Sequence, residues 1–240
     1  MQFKNKGFTL AEILLALTII GVVAAITIPN IVNHYKDEVT VRIVTKFYSN
    51  VAQAYTKLLA EEGPPDTWEG LTESTVTNGK IFYEQFKPYL IIQYDCSNNK
   101  PGCFPSSRYK TLSGELSSNF TTAKERYNAI LNDGAAISFL AHPKSKIDKA
   151  DIANNRENNY GVVYIDVNGS KPPNVHGKDL FGFDITKHGI FPSPLSKGRI
   201  NDCVTIGYSC SGWVISHKNL DYLYCPQKIK NGASSCGFTK

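Results

Sequence analysis

From Phe8 to Ile28 the chain runs for 21 residues, FTLAEILLALTIIGVVAAITI, with one ionisable side chain, Glu12. A helix needs about 20 apolar residues to cross a bilayer, so this run has the length and composition of a membrane span. Lys4 and Lys6 precede it, and the next Lys or Arg after it is Lys36. Positive charge on the leading side orients such a span with its N-terminus in the cytoplasm and the rest of the chain on the far side. An ionised carboxylate inside the lipid core costs roughly 2.5–3.5 kcal/mol on insertion scales. A plain anchor has no use for that cost, so Glu12 needs a partner.

Beyond Pro29 the pattern changes but stays helical. Val44, Phe47, Val51, Tyr55 and Leu58 recur at steps of three and four, with Ala54 beside them, while Lys36, Asp37, Arg42, Lys46, Gln53 and Lys57 occupy the other face. Gly63-Pro64-Pro65 ends the helix. Residues 8–62 thus form one long spine of about 80 Å at ~1.5 Å per residue. It is apolar all round in its first half and striped in its second, so the second half is expected to lay its stripe on a sheet. Pro29 removes one backbone hydrogen bond and is expected to kink the spine. Gly21 and Ala25 form a small-xxx-small step that permits close helix contact.

The string Lys6-Gly7-Phe8-Thr9-Leu10-Ala11-Glu12 resembles the class III signal of type IV pilins and type II secretion pseudopilins. The resemblance covers about residues 4–35. It implies a leader, residues 1–7, that a prepilin peptidase removes by cutting between Gly7 and Phe8, followed by N-methylation of Phe8. Glu12 falls on the family's glutamate position. The resemblance further implies that Glu12 pairs with the new Phe8 amine of a neighbouring subunit, so that two buried charges compensate each other and fix the stagger of one helix on the next. Gly21 and Pro29 bound a segment that loses helical order inside the family's filaments. The implied partners are the peptidase/methyltransferase, other pilin or pseudopilin subunits, and the inner membrane. The chain would sit there as a single pass before entering a pilus or pseudopilus. Two other readings compete with the filament one. One is a secretory signal peptide, and the other is an ordinary signal anchor on a monomeric adhesin, DNA-binding protein or enzyme.

The 240 residues average out to a soluble composition, with 20% charged residues and a mean hydropathy of −0.24. A polytopic membrane protein, a collagen and a fully disordered chain are excluded. Residues 63–240 form a head large enough to bury a core of its own, and larger than a compact major pseudopilin needs, which favours a minor subunit. A net charge of +5 over the whole chain is too mild to argue for a nucleic-acid partner. In the head, Lys80–Ile92 reads as a short helix broken near Pro88 or as a strand edge, and Thr121–Asn132 as a short helix. Ala135–Ala141, Tyr160–Val167 and Leu180–Ile185 read as strands, and Trp213–Ser216 is a further strand candidate. A helix followed by strands gives an α+β fold: a long N-terminal helical spine packed on an antiparallel β-sheet, which is pilin-like.

Two features of the head bear on sites. The segment Asp166–Asp184, DVNGSKPPNVHGKDLFGFD, contains an Asn-Gly turn and reads as an ordered loop between strands. Asp166, Asn168, Asp179 and Asp184 supply hard oxygens that suit calcium, but without the dense acidic spacing of an EF-hand. Six cysteines, Cys96, Cys103, Cys203, Cys210, Cys225 and Cys236, all lie in the head, as disulfides formed after export would require. Fifteen connectivities are open; sequence neighbours suggest 96–103, 203–210 and 225–236. No C-x-x-C pair marks a zinc site, and no nucleophile elbow, P-loop or dinucleotide fingerprint appears. The reading is therefore a structural subunit, not an enzyme, with no cofactor and no metal.

Overall fold

The computed structural model describes residues 9–69, 71, 79–96, 100–117, 119–121, 123, 125–142, 159–192 and 197–237. The chain divides into two compact units, residues 1–39 and 40–240. Helix α1, Leu10–Glu61, begins in the first and ends in the second.

In the first unit α1 shows its apolar side chains to the outside: Leu10, Leu15, Ile20, Ile26 and Ile31 are each more than 60% exposed. In the second unit the stripe predicted from spacing is the one that is buried, namely Val44, Phe47, Val51, Ala54, Tyr55 and Leu58. It covers one face of a six-stranded sheet made of β1 (Ile92–Asp95), β2 (Tyr127–Leu131), β3 (Ala136–Ala141), β4 (Asn159–Asp166), β5 (Leu180–Thr186) and β6 (Gly189–Pro192). The strands lie in sequence order and every neighbouring pair is antiparallel. Phe139, Val163, Ile165, Phe181, Phe183 and Ile185 meet the helix stripe in one core. Phe183 takes Phe47 at 5.8 Å and stacks on Tyr48 at 5.5 Å between ring centroids.

Helix α2, Lys80–Phe86, packs on β3 beside this core, and a 3-10 turn, Lys87–Tyr89, follows it around Pro88. Phe82 leans on Gly161, where an added Cβ would meet both that ring, at 2.7 Å, and the carbonyl of Leu140. Three short helices close the chain: α3 (Lys197–Ile206), α4 (Cys210–His217) and α5 (Pro226–Lys230). The opposite sheet face carries a smaller cluster of Cys96, Cys103, Phe104, Tyr109, Phe120, Ala136 and Leu180. The architecture is thus a long N-terminal helix followed by a six-stranded antiparallel sheet, an α+β arrangement that fits a pilin-like head.

Two local expectations fail, for identifiable reasons. The segment expected as a helix over Thr121–Asn132 contains strand β2. Tyr127, Ile130 and Leu131 mimic helical spacing because both faces of this strand are covered, Ala129 and Leu131 by the main core and Ile130 by the second cluster. Burial on both faces erases the alternation that identifies a strand. Conversely, Trp213–Ser216, expected as a strand, lies in α4. Cys210, Trp213 and Val214 are all buried at helical spacing, and Trp213 stacks on His217 one turn later with centroids 3.9 Å apart. Tertiary packing overrides the strand preference of a Trp-Val-Ile run.

A buried polar bond joins helix and sheet in addition to packing: Tyr55 Oη donates to the carbonyl of Thr186 at 2.6 Å. Burial pushes the Tyr55 phenol well above its ordinary range, so it remains a donor at every working pH. Tyr55→Phe keeps the ring and leaves a buried carbonyl short of a donor, which costs about 1–3 kcal/mol. Urea unfolding of the full chain in detergent should show that loss. Tyr94→Phe, at an exposed position, should stay within about 0.5 kcal/mol of the parent.

Candidate functional site

Gly7 and Phe8, the expected processing pair, lie outside the described residues. The first described residue, Thr9, is the cap of α1. Its hydroxyl accepts the Glu12 backbone N–H at 3.3 Å, and its own backbone N–H donates to Glu12 Oε2 at 2.8 Å. The Thr9 hydroxyl also donates to the same carboxylate oxygen at 2.9 Å. This is a capping box, in which a Thr and an acidic residue three positions on satisfy each other's orphan donors. The spacing Thr9-Leu10-Ala11-Glu12 gives Glu12 a partner in its own first turn.

The eighteen-residue window of α1 with the highest hydropathy has none of its residues buried. α1 is the one helix among the described residues long and apolar enough to cross a membrane. Gly21 and Pro29, expected to interrupt it, both lie within continuous helix in the single chain. Thr18, Thr27 and Asn30 each return a side-chain hydrogen bond to the carbonyl four residues back. An added Cβ at Gly21 would meet nothing within 4 Å, so packing inside this chain does not require glycine there.

In the head, the Asp166–Asp184 segment is an internally bonded loop. Asp166 accepts the Asn168 N–H at 3.0 Å through Oδ1 and the Tyr109 hydroxyl through Oδ2. Asp179 accepts the N–H groups of Val175 and Asn174 at 2.6 and 2.7 Å. Gly177, at φ 75°, lies where a Cβ would come 2.9 Å from Cys210 Sγ, and its carbonyl accepts the Tyr222 hydroxyl. The oxygens considered for calcium in Asp166 and Asp179 therefore bond the loop's own backbone and, at Asp166 Oδ2, the Tyr109 hydroxyl, while Asp184 stands on β5 opposite Val162. No group of three or more metal-capable side chains occurs among the described residues.

The disulfides are Cys96–Cys103, Cys203–Cys210 and Cys225–Cys236. The second joins α3 to α4 and backs the Gly177 turn. Next to it the fold assembles a group that sequence spacing did not mark. Ser117 Oγ lies 3.1 Å from His176 Nε2 and also bonds the hydroxyl of Tyr208. These residues come from three separate segments, so no local motif announces them.

Burial sets the protonation of this region. It raises Asp166 to about 8, with the charge of Asp179 adding to the effect against the hydrogen bonds that favour the carboxylate. Burial also raises Asp179 to about 6 and lowers His176 to about 4. Asp166 and Asp179 thus hold protons in the folded chain that they release on unfolding, so each contributes stability that is lost as pH rises. His176 opposes them below its ordinary value of 6.5 and drops out above it. Between pH 6.5 and 8 Asp166 dominates this group, so the urea midpoint should fall across that window. Asp166→Asn should flatten the fall.

A model of the prokaryotic N-terminal methylation motif matches residues 2–28. No curated protein and no solved structure matches the chain at a significant level. The matched span contains Gly7, Phe8, Thr9, Glu12 and Gly21 and stops just short of Pro29. The chain therefore carries the N-terminal methylation motif that is the prepilin signature of type IV pilins and pseudopilins.

Proposed function

We propose that this protein is the precursor of a filament subunit, of a type IV pilus or of a type II secretion pseudopilus, and that it occupies a minor position in that filament. The prepilin signature over residues 2–28 carries the reading. In this scheme a prepilin peptidase cuts between Gly7 and Phe8, Phe8 is N-methylated, and the chain waits in the inner membrane. Its N-terminus is cytoplasmic and the head, residues 63–240, is on the far side. Subunits then associate through the apolar part of α1. An apolar helix surface with its side chains exposed needs lipid or neighbouring helices to cover it.

Glu12 is assigned the pairing with a neighbour's Phe8 amine. A second reading has one observation in its favour: the capping box gives Glu12 a partner within its own chain, which a monomeric anchored protein would also use. Magnitudes separate the two. An N-cap is worth about 0.5–2 kcal/mol and leaves the charge in place, whereas a carboxylate in the span costs roughly 2.5–3.5 kcal/mol. The cap offsets part of that cost, and a cation cancels the charge itself.

The substitutions that test this follow from the same geometry. Glu12→Gln preserves a capping-box residue but removes the charge. Thr9→Ala removes the cap but keeps the charge. If charge pairing drives assembly, Glu12→Gln should abolish filament or subunit cross-linking yield in cells that express the assembly machinery, while Thr9→Ala lowers it only partly. The reverse order would sink the pairing assignment. Both variants should leave head unfolding unchanged.

Processing is checked separately by mass spectrometry of the N-terminal peptide after co-expression with a prepilin peptidase. The expected species begins at N-methyl-Phe8. A cut near Ala25 would mean ordinary secretion, and an intact Met1 would leave a plain anchor.

A further inference from the structure

The net charge of +5 has a definite address. Residues 187–240 hold seven Lys/Arg and two Asp/Glu, and residues 1–186 hold nineteen of each. The whole excess therefore lies in a C-terminal cap that contains β6, α3, α4 and α5 and is closed by two disulfides. Lys218, Lys228 and Lys230 are exposed there. Lys228 Nζ donates to the Cys236 carbonyl at 3.1 Å, and Asn219, next to Lys218, donates through Nδ2 to the Ser234 carbonyl at 3.2 Å. The strip 234–236 thus draws the end of α4 and the helix α5 together. Asp221, one of the two acidic residues, accepts the Cys236 N–H at 2.7 Å. Among the described residues none of these three lysines makes an ion pair.

A counterpart of opposite sign lies in the same chain. From Leu58 to Gly79 there are five acidic residues and no Lys or Arg. Glu61, Glu62, Asp66 and Glu69 form an exposed acidic collar. Glu61 ends α1 and Glu62 follows it, with no basic residue in the last turn. A helix C-terminus carries about half a unit of negative charge, so acidic side chains are disfavoured there and a cation is favoured. Lys187 of the cap already shows the match within one chain, with Nζ 3.5 Å from Asp66 Oδ2. Glu62 and Glu69 make no ion pair among the described residues. A nucleic acid would neutralise the cap and leave the collar as it is, whereas a second copy neutralises both.

We propose that the C-terminal cap of one copy docks on the acidic collar at the end of α1 in a second copy. The two patches differ, so the contact is heterologous: each bound copy still offers a free cap or collar, and the array stays open-ended. The contact names a head-to-head surface for the filament subunit proposed above and rests on that reading, but it is measured separately from it.

Equal amounts of ordinary and heavy-isotope-labelled full chain are mixed in a non-ionic detergent and treated with a water-soluble carbodiimide. The reagent joins a carboxylate to a lysine with loss of water. Lys187–Asp66 supplies links within one chain as a control. Mixed-isotope peptides should join the segments carrying Lys218, Lys228 and Lys230 to those carrying Glu62 and Glu69. Raising NaCl from about 20 to about 500 mM shortens the screening length from roughly 20 Å to about 4 Å and should cut their yield about fivefold. Lys228→Glu with Lys230→Glu should cut it about as far, and so should Glu62→Lys with Glu69→Lys, each with unchanged thermal unfolding. Mixing these two double variants restores opposite charges across the contact, and the yield should return to within about twofold of the parent. Glu12→Gln should leave the links in place, so a chain that cross-links in detergent yet forms no filament in cells faults the filament reading and upholds the contact. The proposal is overturned if mixed-isotope links are absent at low salt, or if the mixed variants fail to recover them. It is equally overturned if the cap retains a single-stranded oligonucleotide while no link forms between copies.

Discussion

The head depends on one contact: the stripe of α1 from Val44 to Leu58 laid across the inner face of the sheet. Six of its residues are buried there, and each fully buried aliphatic or aromatic side chain contributes roughly 1.5–3 kcal/mol. A twisted antiparallel sheet with one face bare would expose Phe139, Phe181, Phe183 and their neighbours to water. The helix removes that face from solvent, and the Tyr55–Thr186 bond fixes its azimuth at the β5–β6 end. The same covalent helix carries the apolar segment of the first unit, so the element that completes the head's core is also the one that would bring it to a membrane.

The helical stripe was legible because its period is long and its opposite face is charged. Strands β3, β4 and β5 were legible as runs rich in Val, Ile and Phe. β2 was not, because two cores claim its two sides, and α4 was not, because an eight-residue helix spans barely two turns and its Trp213–Ser216 stretch is rich in strand-favouring residues. The short edge strands β1 and β6 escaped for the same reason: four residues each, with β6 ending at Pro192.

The sites divide along a similar line. Glu12 stands out in sequence because a charge in an apolar run is conspicuous. Its own-chain partner Thr9 is equally visible in the letters, yet helix-capping logic and membrane logic compete for the same glutamate. The buried polar cluster of Tyr109, Asp166, Asp179, Ser117 and His176 is different. Its members are spread over some seventy positions, so only the fold brings them together. Burial, not spacing, gives them their altered protonation.

The order of the strands has a consequence for how such a head comes into being. Every strand pairs with its neighbour in sequence, and each disulfide closes a loop of only 7 or 11 residues. Among the described residues no strand waits for a distant strand partner, and no cysteine must find its mate across the domain. A chain emerging from a pore N-terminus first has α1 in hand before any strand appears. It then closes one hairpin after another, each new strand docking on an edge already present. Pairing between strands adjacent in sequence shortens the time that sheet edges stay open, although the helix stripe must wait for strands as far along as Thr186. The topology is one that tolerates delivery as a thread.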